Sequence, residues 1–253
     1  MDLGLTGKRA AVAASTSGLG LGVAVALAQE GARVAICGRD PDRLADALAH
    51  LSEQAPDADV VGFTADVGTP DGAAEFVHAA AKALDGLDIL VPNAGGPPAG
   101  TFMSTPMTAY LPALQLNLLS TVAMCHAGMP TLVEGGWGRI VAITSRTVRE
   151  PAPQLILSNT ARAGATAFLK TLATEFAPRG VTVNSVQPGL HETPRLTELF
   201  GGDLTEATSD IPTGHIGRPE DFGAVVAFLC SDQARFITGT SVLVDGGSNR
   251  GLS

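Results

Sequence analysis

Seven short β-branched or apolar runs, each followed by a longer Ala-rich stretch with helical spacing, constrain this chain more than any other feature. The runs fall at 9–14, 33–37, 60–64, 89–92, 139–144, 181–187 and 241–244. Between them, spacings such as Leu44, Leu48 and Leu51 follow the helical period. Helix ends are legible as well. Gly31 follows "ALAQE" and Gly180 follows "EFAPR", where a left-handed residue ends a helix. Thr69-Pro70 reads as an N-cap with proline in the first turn. Continuous apolar strands separated by helices predict a parallel sheet covered on both faces. The expectation is an α/β chain: one Rossmann-type domain over 1–253, doubly wound, with about seven parallel strands. Ligands of such sheets bind beyond the carboxyl ends of the strands. The weakly patterned stretch 190–217, rich in Gly, Thr and Pro, is expected to be an inserted substrate loop.

Composition narrows the classes. Apolar residues make up 45% of the 253 but aromatics only 4%, so the core must be built from Ala, Val and Leu. The formal net charge of −9 argues against nucleic acid and anionic membrane surfaces as partners. Cys37, Cys125 and Cys230 have no metal-ligand spacing and read as buried free thiols in a reducing compartment; no metal is expected. The opening "MDLGLTGKRA" has no apolar h-region, and no apolar run is expected to approach a membrane span of about 18–20 residues. A soluble, cytoplasmic protein is expected.

The chemistry is concentrated at strand ends. "ASTSGLG" (14–20) lies between the first strand and the first helix. There Gly18 and Gly20, flanking Leu19, let the backbone approach a pyrophosphate at a helix N-terminus. Asp66-Val67 follows the third strand, Asn93-Ala94-Gly95 ends the fourth, and Pro188-Gly189 closes the sixth. Asn117 lies in the long helix after the fourth strand.

With these residues the chain resembles the short-chain dehydrogenase/reductases, from about Leu5 to Gly247. The family's T-G-x-x-x-G-x-G reads Ala13-Ala14-Ser15-Thr16-Ser17-Gly18-Leu19-Gly20, with two signature residues replaced by alanine. Its N-N-A-G reads Pro92-Asn93-Ala94-Gly95. The stretch "GRPEDFGAVVAFLCSDQARFITGTSVLVDGG" is similar to the family's C-terminal third, most like the 3-oxoacyl-acyl-carrier-protein reductase-like branch. The resemblance implies nicotinamide cofactor binding and a small-molecule carbonyl substrate. It also implies a homotetramer paired through helices near 108–129 and 159–178.

Cofactor choice turns on "AICGRD". NAD-preferring members carry an acidic residue where this chain has Gly38, followed by Arg39. Arginine grips a 2′-phosphate through paired hydrogen bonds, and Ser15 and Ser17 are candidate hydroxyl donors. The expectation is NADP(H).

The resemblance also exposes a gap. The family's tetrad is Asn, Ser, Tyr and Lys. Asn117 and Ser145 fit the first two places, but the family's intervals put Ser158 and Arg162 in the last two. An alternative register with Leu155 and Asn159 needs a gap, and the single tyrosine, Tyr110, reads as a packing residue. A serine hydroxyl is a far weaker acid than a tuned phenol, and arginine does not surrender its proton. The loss of general acid catalysis is worth about 10²–10⁴-fold, or about 3–5 kcal/mol. Hydride proximity, up to about 7–11 kcal/mol, survives.

Ser145 and Ser158 can hydrogen-bond a developing alkoxide, with Arg162 stabilising charge and orienting the nicotinamide ribose. The proton would come from water or from an enolic or phenolic substrate. Arg146, Arg149 and Glu150, on the loop after Ser145, and His191, after Pro188-Gly189, are further candidates. Three functional readings follow. The first is an NADP(H)-dependent carbonyl reductase with an atypical tetrad. The second is an NADP(H)-binding pseudoenzyme or sensor. The third is a non-redox lyase or dehalogenase, which Gly18, Gly20 and Arg39 disfavour.

Overall fold

The computed structural model describes residues 2–200 and 208–252 of the chain, and the side chains of residues 199 and 200 lie outside that description. Seven parallel strands form one sheet: β1 (Arg9–Val12), β2 (Arg33–Gly38), β3 (Val60–Thr64), β4 (Ile89–Val91), β5 (Gly138–Ile143), β6 (Val181–Pro188) and β7 (Ser241–Val244). Their order is β3-β2-β1-β4-β5-β6-β7, and β1 pairs with both β2 and β4. The chain therefore reverses its direction of winding between β1 and β4, which opens a crevice at their carboxyl ends. All seven expected strands are present, with ends shifted by no more than two residues.

Strand alternation divides the core. Ala10 and Val12 of β1 face one layer, with Val34 and Ile36 of β2 beside them. There they meet α1 (Gly18–Gln29), α2 (Pro41–Gln54) and the helix Pro219–Cys230, here α8, through Val23, Leu27, Leu51, Phe222 and Val226. Ala11 and Ala35 face the other layer, where Phe76 and Val77 of α3 (Pro70–Ala83), Met124 and Leu132 of α5 (Ser120–Glu134), and Leu169 of α6 (Ile156–Phe176) cover the sheet. Small residues set the spacing. A Cβ at Gly22 of α1 would stand 2.3 Å from the Pro219 carbonyl oxygen, and one at Gly223 of α8 would stand 2.3 Å from the Gly22 oxygen. The two helices thus touch backbone to backbone.

The expected helix ends form: Thr69 Oγ1 accepts from Gly72 N, and Gly31 and Gly180 turn left-handed with φ 80° and 79°. Asp40, which the sequence analysis did not single out, caps α2, its Oδ1 accepting from Asp42 N and Arg43 N. Burial pushes the thiols of Cys37, Cys125 and Cys230 up to about 12, as expected of inert core residues.

The helical stretch between β4 and β5 requires one correction. Continuous helix from Met107 to Glu134, made of a short turn, α4 (Tyr110–Leu114), a π-helical turn (Gln115–Leu119) and α5, is long and apolar enough to cross a membrane by length and composition alone. Asn117, His126 and Pro130 interrupt the apolar residues along it. In the fold its buried residues, Met124, Cys125 and Leu132 among them, cover the sheet.

Candidate active site

The carboxyl ends of β1 and β4 open into a cleft of about 1500 Å³ that runs from Arg39 at one end to Ser158 and His191 at the other. The loop after β1 forms its floor. A Cβ at Gly20 would meet the Ala14 carbonyl oxygen at 2.4 Å, so only glycine lets this turn close. Gly18 opens α1 with φ 56°, and Ser17 at its N-cap makes no side-chain cap, which leaves the first-turn N–H groups without a capping side chain. Those donors face an anion-binding position at a helix N-terminus. Ala14 itself has φ 46°, a left-handed conformation forced on a residue with a Cβ.

Side chains tie the strand ends together. Asn93 Nδ2 donates to the Ala13 and Ala14 carbonyls at 3.2 and 3.1 Å. Asn117, buried within the π-helical turn, donates from Nδ2 to the Gly95 carbonyl at 2.8 Å, and its Oδ1 is buried without a partner. A Cβ at Gly95 would meet nothing within 4 Å, so this backbone faces open cleft. Arg162, from α6, donates from Nη1 to the Ile143 and Thr144 carbonyls, both at 3.1 Å. Burial first, and then the neighbouring charge of Arg195, bring the Arg162 guanidinium down to about 10. It remains a cation at neutral pH. Ser145 Oγ lies 3.0 Å from Thr147 Oγ1 and accepts from Thr147 N.

The segment after β6 folds back over the cleft. Thr193 lies against Gly18, and Arg195 of α7 (Pro194–Phe200) donates from Nη2 to the Pro97 carbonyl at 2.7 Å. A bridge between His191 and Gly217 closes the base of the 190–217 segment, whose residues 201–207 lie outside the described structure. His191 is buried, stacks edge-on to Phe222 with ring centroids 5.3 Å apart, and has its Nδ1 3.3 Å from the Gly189 carbonyl. Burial lowers its pKa from the ordinary value, a shift that the Gly189 carbonyl, Asp221 and Asp245 only partly oppose.

Most of the expected site residues meet in this one cleft. Ser17, Gly18, Leu19, Gly20, Arg39, Asp66, Val67, Asn93, Ala94, Gly95, Ser145, Ser158, Arg162, Pro188 and Gly189 all line it. Two do not. Ser15 is buried, with Oγ donating to the Val12 carbonyl and accepting from Cys37 N; its hydroxyl is spent inside the sheet and has no donor left for a phosphate. Asn117 stands behind the wall and acts on the cleft through Gly95.

Of the four further candidates, Arg146 and His191 line the cleft. Arg149 does not: it reaches the other way, to Gln187 Oε1 at 2.8 Å and the Ser241 carbonyl at 2.6 Å. Glu150 faces the tail at Arg250 N. The structure adds Thr16, Arg43 and Arg195, which the sequence reading missed. Arg43 lies in the first turn of α2, four residues after Arg39. Nothing local marks Arg195.

The cleft matches a dinucleotide: an uncapped helix N-terminus over a glycine turn, two arginines at the β2 end, and an arginine-backed pair of serines at the other. Fold and site together define a dinucleotide-binding oxidoreductase of the doubly wound class. Residues 13–249 match the family model described as enoyl-(acyl carrier protein) reductase. The human dehydrogenase/reductase SDR family member 4 is 34% identical over 247 residues, covering 96% of this chain and 88% of its own. The 3-oxoacyl-[acyl-carrier-protein] reductase FabG of Aquifex aeolicus is 33% identical, covering 98% and 99%. Among solved structures, L-sorbose reductase from Gluconobacter frateurii, complexed with NADPH and L-sorbose, superposes with a TM-score of 0.92 at 32% identity over 100% of both chains. An NADPH-bound short-chain oxidoreductase from Pseudomonas aeruginosa, described as containing an atypical catalytic center, gives 0.90 at 31% identity over 98% of this chain and 100% of its own. The chain belongs to the short-chain dehydrogenase/reductase family.

Proposed function

We propose that this protein is an NADP(H)-dependent reductase of a small-molecule carbonyl, working with Ser158 and Arg162 in place of a tyrosine and lysine. The observation that carries the reading is Arg162, whose guanidinium is fixed on the Ile143 and Thr144 carbonyls beside Ser145, at the far end of the same cleft that begins at Arg39. Likeness to NADPH-bound reductases supports it, one of them with an atypical catalytic center.

Arg39 and Arg43 would hold the 2′-phosphate, assisted by Ser17 and Thr16. The first-turn N–H groups of α1 would hold the pyrophosphate. When bound, the nicotinamide supplies a hydride to the carbonyl carbon. The carbonyl oxygen then carries the displaced electron pair. Ser145 and Ser158 donate hydrogen bonds to it, and Arg162 stabilises its charge at short range in a partly dry site. A water proton completes the alcohol, since no phenol is among the described residues lining the cleft. Wall residues fix the reacting partners: Asn93 and Asn117 hold the strand-end backbone on which positioning depends.

The same family resemblance supports a homotetramer. Leu111 and Leu119 leave apolar surface uncovered on the helices expected to pair, at 61% and 39% exposure, and Phe236 beside β7 is fully exposed. A cytoplasmic location is part of the same proposal.

The test is single-turnover oxidation of NADPH in the presence of diketones and quinones, with NADPH binding measured separately. Binding with hydride transfer supports the reading. Binding without transfer to any carbonyl overturns it in favour of a sensor.

A further inference from the structure

The cleft is electrostatically divided. Its only lining carboxylates among the described residues are Asp40 and Asp66, both near the β2 and β3 ends where the adenosine half of a dinucleotide would lie. The opposite half is lined by Arg146, Arg162 and Arg195, with no acidic residue between them. This is unexpected for a chain with a formal net charge of −9.

Among the described residues, the three arginines meet carboxylates only at the rim. Among the described residues, Arg162 has carbonyls as its only partners, through one nitrogen, which leaves Nε and Nη2 without an acceptor there. Arg195 spends Nη2 on the Pro97 carbonyl, while its Nη1 pairs with Glu198 at 3.0 Å. Arg146 approaches Glu150 only at 4.0 Å. Glu198 and Glu150 are 69% and 46% exposed, so both pairs sit at the rim and are the weak, exchangeable kind. Arg195 and Arg162 are close enough for one charge to disfavour the other. Two cations held together with only an exposed rim carboxylate to offset them are a cost that a bound anion would relieve.

The dinucleotide accounts for Arg162 in part but not for Arg146 and Arg195. Arg39 and Arg43 serve its 2′-phosphate, and the N-terminus of α1 serves its pyrophosphate. The surplus lies where the substrate must enter, around the space that a serine at position 158 leaves open. Arginine is also the side chain best shaped to grip a carboxylate through two parallel hydrogen bonds.

We propose that the substrate is an anionic carbonyl compound, an oxo acid, whose carboxylate docks on Arg195 beside Arg162 while its carbonyl faces Ser145 and Ser158. This rests on the reductase reading for its carbonyl and on the arginine cluster for its charge. Anchoring the carboxylate holds the carbonyl in place, which a site lacking a strong acid needs more than one that has it.

The test pairs each acid with its neutral twin: straight-chain 2-oxo and 3-oxo acids of four to eight carbons against their methyl esters. With saturating NADPH, kcat/KM for the best acid should exceed that of its ester at least tenfold. Arg195→Gln should bring the acid-to-ester ratio to within threefold of unity, a ratio in which any general loss of activity cancels. Calorimetric titration of the same pairs into the unaltered protein loaded with NADP+ gives a readout independent of turnover. Acid binding at least tenfold tighter than ester sustains the inference even if nothing is reduced, in which case the reductase reading is what fails. Esters bound and reduced as well as acids, or neither bound, overturn the inference. Ester reduction alone would leave the reductase standing.

Discussion

Arg162 Nη1 donates at 3.1 Å to the carbonyl of Thr144, the residue immediately before Ser145. A cation from α6 is thereby fastened to the end of β5, and the α6 segment carrying Ser158 is held against the strand that carries the other serine. Ser145, Ser158 and Arg162 thereby share one end of the cleft.

Ser158→Ala should lower single-turnover reduction by about 10–10³-fold, as expected for loss of one oxyanion donor. Cofactor affinity should stay nearly constant. Arg162→Ala should cost at least as much in rate and weaken NADPH binding as well. Stopped-flow traces and fluorescence titrations on the same preparations separate the two effects. An unchanged rate in Ser158→Ala would make that hydroxyl a space-filler.

Reduction should vary little between about pH 6 and 9, since neither serine nor arginine titrates there. Burial and Arg195 lower the Arg162 guanidinium, yet it stays a cation across this range. A substrate without ionisable groups near neutrality is the right probe. A sharp loss between pH 7 and 9 would point to another acid.

NADPH should bind at least tenfold more tightly than NADH, and Arg39→Ala should erase most of that margin. Arg43→Ala should erase part of it, because Arg43 lines the same end of the cleft. Equal affinities in the starting protein would sink the 2′-phosphate assignment.

His191 is buried and its pKa is lowered, so the unfolded chain binds its proton more readily than the folded one. Stability from keeping it neutral is complete above the unfolded value of about 6.5 and is lost as pH falls toward the depressed folded value. His191→Gln should therefore lose less Tm than the starting protein between pH 7.5 and 5.5. A parallel decline in both would show that carboxylates alone govern the acid limb.

Ala14→Gly should stabilise the fold. A left-handed φ costs a residue with a Cβ about 1–2 kcal/mol, against about 0.4–1 kcal/mol of added unfolded-state entropy for glycine. Gly22→Ala has the opposite sign, since its Cβ would meet the Pro219 backbone and force α1 and α8 apart, at about 1–3 kcal/mol. Thermal denaturation of the two variants checks both signs.

The alternation of apolar strands and Ala-rich helices by itself determined the seven-stranded parallel sheet, because burial on both faces leaves period-two and period-3.6 patterns little freedom. It also determined where to look, since strand ends in such a sheet share one edge. Ser145, Ser158 and Arg162 were assigned there through the resemblance to the family's tetrad and its intervals, and all three line the cleft.

What spacing cannot express is direction. Ser15 and Ser17 stand two residues apart in one loop, yet one hydroxyl is spent inside the sheet and the other lines the cleft. Arg146 and Arg149 share a short turn, but Arg146 lines the cleft while Arg149 reaches across to β6 and β7. Arg195 is 33 residues from Arg162 in sequence (195 − 162 = 33), and only the fold-back of the segment after β6 brings their charges together. Those outcomes depend on which acceptors the packed chain leaves within reach. That is a property of tertiary geometry, because a side chain's partners are set by what lies across from it and its own sequence does not encode them.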